Sequence, residues 1–110
     1  MTEAYTVHIT PQAHEQLHEL LSYIRFTLQA PDTAVEMLDT LQKEIASLEY
    51  FPNQIPLTEE EPWHSQGVHK FPVKSYLVYY VVDEIRKKVQ IIAVVYGRRD
   101  QKHILSNLNI

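Results

Sequence analysis

A chain of 110 residues, 45% hydrophobic and 22% charged, has the size and composition of one soluble globular domain, expected to span residues 1–110. It has no cysteine, which excludes a disulfide framework, a thiolate nucleophile and any Cys-based metal site. No apolar run approaches the ~20 residues of a membrane span, and Met1-Thr2-Glu3-Ala4 lacks the basic and apolar regions of a signal peptide, so a cytoplasmic protein without membrane contact is expected.

The net charge of −4 hides an asymmetry. Residues 1–62 carry two basic against eleven acidic side chains, and residues 63–110 carry eight basic against three acidic. An acidic first half suits the outer faces of helices. A basic second half suits an anionic partner.

Tyr5-Thr6-Val7-His8-Ile9 alternates and reads as a short first strand. Thr10-Pro11 has the form of an N-cap followed by proline at the first helical position. Leu17, Leu20, Leu21, Ile24 and Leu28 then recur at spacings of three and four, predicting a helix of roughly five turns that Pro31 stops. Asp32 or Thr33 is expected to cap the next helix, whose inner face carries Val35, Leu38, Leu41, Ile45 and Leu48. So short a link makes the pair an antiparallel αα-hairpin. Residues 52–66, with Pro52, Pro56, Pro62 and Glu59-Glu60-Glu61, read as a loop.

The stretch Gly67–Asp100 is the centre of the chain. Its β-branched and aromatic runs, the second being Val89–Tyr96, flank the charged turn Asp83–Lys88 and predict an antiparallel hairpin. The runs are nearly continuous in apolar character, which predicts a strand pair covered on both faces. Ile104, Leu105 and Leu108 suggest a short last helix. The expected order is β-α-α-β-β-(α), an α+β fold with a small antiparallel sheet packed under an αα-hairpin.

Gly67 precedes the hairpin and Gly97 follows it, and the two ends of an antiparallel pair lie side by side. On that reading His69 and Lys70 approach Tyr96, Arg98 and Arg99, with Lys74 joining according to register. A basic cluster with an imidazole and a phenol suits a phosphodiester. Arg98 or Arg99 could hold phosphate oxygens, His69 could move a proton, and Tyr96 could stack on a base or act as an acid or base. Each has a plainer reading alone: a solvated basic rim, a packing histidine, a sheet aromatic. His8, His14, His18, His64 and His103 suggest no ligand set, although His14 and His18 lie one helical turn apart. No metal and no cofactor is expected.

Five segments in order resemble the RelE/ParE-type toxins of bacterial type II toxin–antitoxin systems. These are Ile9-Thr10-Pro11-Gln12-Ala13 with Tyr23-Ile24; Leu48-Glu49-Tyr50-Phe51-Pro52; Phe71-Pro72-Val73-Lys74-Ser75-Tyr76; Tyr79-Tyr80; and Val94-Val95-Tyr96-Gly97-Arg98-Arg99-Asp100. The resemblance implies a toxin that is a ribosome-dependent mRNA endoribonuclease, with His69, Lys70, Tyr96, Arg98 and Arg99 as catalytic residues and Lys74 and Lys102 as RNA contacts. The alternatives it implies are a ParE-like, non-enzymatic inhibitor of DNA gyrase and an attenuated toxin that binds only its antitoxin. The implied partners are a cognate antitoxin and the ribosome with its mRNA, or gyrase, in a homodimer or a toxin–antitoxin hetero-oligomer.

Overall fold

The computed structural model describes residues 4–97. Arg98, Arg99, Lys102 and the expected last helix lie outside the described residues. Thr6–Ile9 form β1 and Pro11–Ser22 form α1. The Thr10 hydroxyl accepts the Ala13 N–H at 3.3 Å, and Pro11 fills the first turn where its missing donor costs nothing.

From Tyr23 to Thr27 the helix widens into a π turn, closed by the Leu28 N–H on the Tyr23 carbonyl at 3.0 Å. The register change takes Leu28 off the apolar stripe, and it is 56% exposed. The chain reverses at Gln29 (φ 52°), and α2 runs over Pro31–Ser47. Pro31 thus opens the second helix rather than only ending the first. Ala30 stands at the cap, without a side-chain bond, where Asp32 or Thr33 was expected. Leu41, Ile45 and Leu48 are buried as the periodicity requires, but Val35 is 68% exposed and Ala34 takes the inner position.

Four strands, not three, make the sheet, in the order β1-β4-β3-β2, with β2 His69–Val73, β3 Tyr76–Asp83 and β4 Lys88–Tyr96. The β2–β3 and β3–β4 pairs are antiparallel as expected, whereas β1 runs parallel to β4. The sheet is therefore mixed: β1 and β4, the first and last strands in sequence, are neighbours and run in the same direction, with the αα-hairpin and the other two strands between them in the chain. The extra strand arises at Lys74-Ser75, where Lys74 (φ 57°) reverses a run that reads as one strand.

Both faces are covered. Leu17, Leu41, Ile45 and Leu48 pack on Val78, Tyr80, Ile91 and Val94. Trp63 and Val68, from the loop before β2, pack on Leu77, Tyr79, Ile92 and Val95 of the opposite face. A bulge opposite Tyr79 and Tyr80, where Ala93 and Ile91 are successive partners, puts Ile92 and Ala93 on the same face. The same loop also closes the β2 edge: the Lys70 N–H donates to Pro56 O at 3.1 Å and the Thr58 N–H to Val68 O at 2.8 Å.

Candidate functional site at the C-terminal end of β4

The register decides which of the sequence-predicted residues can meet. His69 pairs with Tyr80, while Tyr96 pairs with Tyr76 at the other end of β3. Four residues of strand and two strand spacings place His69 and Tyr96 about 16 Å apart. The expected convergence of His69 and Lys70 with Tyr96 does not occur, because the turn at Lys74-Ser75 sends β2 back toward the opposite end of the sheet.

His69 is 8% exposed. Its Nδ1–H donates to Ile55 O at 2.6 Å, since a carbonyl only accepts. Its ring lies flat on Tyr80, with centroids 4.8 Å apart and planes 6° from parallel. The Tyr80 hydroxyl donates to Pro52 O at 2.6 Å, and burial pushes its phenol well up from the ordinary value. The pair fastens the 52–56 segment to the sheet. Lys70, half-buried, sits opposite Tyr79, whose phenol is pushed up to about 12 by burial and then by Glu60.

Lys74 remains with Tyr96. The Gly97 N–H donates to Ser75 O at 2.8 Å, which sets the exposed Lys74 turn beside the end of β4. A Cβ at Gly97 would stand 3.1 Å from that carbonyl, so the close approach favours glycine.

Two residues that the sequence reading named only for the family resemblance, and did not place in the site, join them. Tyr76 meets Tyr96 edge to face, centroids 5.6 Å apart and planes at 71°, and its phenol is raised by burial and then by Tyr96. Tyr23, on the π turn, borders a cavity of about 350 Å³ with Tyr76, Tyr96 and Leu28. It also borders one of about 150 Å³ with Gln16 and Glu19. Gln16 Oε1 accepts the Val94 N–H at 3.0 Å, satisfying β4 past the end of β1. Three tyrosines and an exposed lysine can stack on planar groups and attract an anion. Among the described residues no imidazole lines either cavity, and Glu19, beside the smaller one, is the carboxylate nearest the tyrosines.

At the opposite end of the sheet the Glu84 carboxylate is a clasp. It accepts the Tyr5 hydroxyl at 2.7 Å, Asn53 Nδ2 at 2.6 Å and Lys87 Nζ at 3.4 Å. These bonds, Tyr5 foremost and then Asn53, hold its carboxyl below the usual range.

His14 and His18 both face the groove between α1 and α2. Their segment, His14-Glu15-Gln16-Leu17-His18, has the spacing His-Glu-x-x-His, a signal in the sequence that the expectation of no metal passed over. Among the described residues no three His, Asp or Glu side chains gather as a metal-binding group, and no helix is long and apolar enough to cross a membrane.

Residues 7–101 match the model of the family described as "ParE toxin of type II toxin-antitoxin system, parDE". A search of curated proteins found no match. Among solved structures, the fold is similar to a chain of the chromosomal ParDE system from P. aeruginosa, with a TM-score of 0.69 at 17% identity over 86% of this chain and 98% of that one. It is also similar to a mutant of E. coli toxin RelE in the free state, with a TM-score of 0.60 at 17% identity over 92% of each chain. A chain of the RelBE2 toxin–antitoxin complex from Mycobacterium tuberculosis gives a TM-score of 0.57 at 19% identity over 84% of this chain and 98% of that one. The structures share the fold; the match over residues 7–101 carries the kinship, and the chain belongs to the ParE toxin family of type II toxin–antitoxin systems.

Proposed function

We propose that this toxin acts by binding its target rather than by cutting RNA, that the target is DNA gyrase, and that a cognate antitoxin neutralises it. The observation that carries the reading is the separation of His69 and Lys70 from Tyr96 by the β2–β3 turn. An RNase built on a 2′-hydroxyl attack needs a base, an acid and charge stabilisation at one phosphate. The buried His69, bound to Ile55 O, serves packing instead. The family description names a ParE toxin, and ParE-like members are expected to poison gyrase. An antitoxin partner is supported by the ParDE and RelBE2 neighbours, which are toxin–antitoxin systems. The helical hairpin offers such a partner exposed anchors in Phe26 (67%) and Val35 (68%).

A second reading, ribosome-dependent mRNA cleavage, is favoured by one feature: Lys74 lies beside Tyr96, and Arg98-Arg99 follow directly in the chain. Purified toxin in a gyrase supercoiling assay, with primer extension on cellular mRNA after induction, separates the two. The binding reading expects supercoiling to fail and mRNA to stay intact. Codon-spaced mRNA breaks that vanish in the Arg98→Ala/Arg99→Ala variant, with gyrase unaffected, would overturn it.

A further inference from the structure

We propose that His14 and His18 form a binding site for a divalent transition-metal ion, zinc foremost, on the outer groove of the helical hairpin. The residues stand at i and i+4 within α1 (Pro11–Ser22), the spacing at which two side chains on one helix face lie a turn apart, about 5–6 Å between Cβ atoms. Two imidazoles so placed chelate one ion, as the paired histidines of a His-Glu-x-x-His helix do.

Placement supports the chelate as well as spacing. Both residues line one cavity of about 470 Å³ together with Ile9, Leu38 and Gln42, which puts them on the same side of α1. Both residues are exposed, and neither has a hydrogen bond to a described residue that would fix a ring nitrogen, unlike His64, whose Nδ1 lies 2.9 Å from Thr58 O, and His69. Charges stand near the pair but not in the groove: Glu15 and Glu19 are sequence neighbours, Glu19 borders the cavity beside Tyr96, and Asp39 of α2 is paired with Lys43 at 3.0 Å.

The ion takes two imidazole nitrogens, and water completes its coordination. Peptide hydrolysis is not part of the proposal, because a protease of this pattern needs a third protein ligand, and the described residues bring none to the pair. Glu15, the second residue of the pattern, is not among the residues that line the groove and is not a ligand.

The test uses untagged full-length protein, titrated with zinc chloride against a chromophoric chelator, with Co²⁺ as a spectroscopic substitute. One ion should bind per chain. His14→Gln or His18→Gln should weaken binding about tenfold or more, and the double variant should abolish it. Glu15→Gln and the control His8→Gln should leave affinity nearly unchanged. Circular dichroism establishes that each variant is folded, as expected for exposed positions. The proposal is overturned if the double variant binds like the wild type, if Glu15→Gln loses as much as either histidine variant, or if wild-type protein binds nothing at about 1 mM free zinc.

Discussion

The imidazole of His69 lies flat on the phenol of Tyr80, ring centroids 4.8 Å apart, and each ring sends one hydrogen bond into the 52–56 segment. A histidine held in this way belongs to the core. Replacing His69 with Ala should therefore destabilise the fold by about 2–3 kcal/mol, through lost packing and an unsatisfied Ile55 carbonyl. Tyr80→Phe should cost about 1–2 kcal/mol by orphaning Pro52 O. Urea unfolding checks both. A His69→Ala protein that keeps wild-type stability but loses activity would return the residue to a catalytic role.

Tyr96 predicts the opposite profile. It is half-buried at the rim of two cavities, so Tyr96→Phe should change the unfolding midpoint little. Tyr96→Ala together with Lys74→Ala should reduce growth inhibition on induction. Toxicity measured beside thermal denaturation separates this end of the sheet from the His69 end.

Tyr79 is fully buried, and its phenol holds its proton to about pH 12, whereas in the unfolded chain it releases it near pH ~10. The stability from burying the neutral ring is complete below pH ~10 and drains away as pH rises from there toward 12. Unfolding should thus be steep in that window, followed by phenolate absorbance. Tyr79→Phe should move the alkaline transition to higher pH.

The loop that carries Trp63 forms the cover of the sheet's outer face. Trp63→Ala should cost about 3–5 kcal/mol. Trp63 is the one tryptophan of the sequence, so its fluorescence reports unfolding of that face. A conservative check is Trp63→Phe, which should recover part of the loss.

Gly97→Ala places a methyl group 3.1 Å from the Ser75 carbonyl. The strain should cost about 1–3 kcal/mol and loosen the β4 end beside Lys74. A calorimetric Tm equal to wild type would show that the turn yields without cost.

Much of this architecture is written in local pattern. The Thr10-Pro11 cap, the stripes through Leu17 and Leu41, and the apolar runs of β3 and β4 follow from periodicity and propensity, which act within a few residues. The five ordered segments carried the kinship as well. Tertiary structure alone decided the rest. Pro72-Val73-Lys74-Ser75 looks continuous with the strands on either side, and only the left-handed turn at Lys74 splits the run and carries His69 away from Tyr96. Strand direction in β1, the swap of Ala34 for Val35, and Trp63 closing the outer face depend on which surfaces meet across long stretches of chain. Such pairings are set by packing and by hydrogen bonds between distant segments, and neighbouring residues hold no record of them.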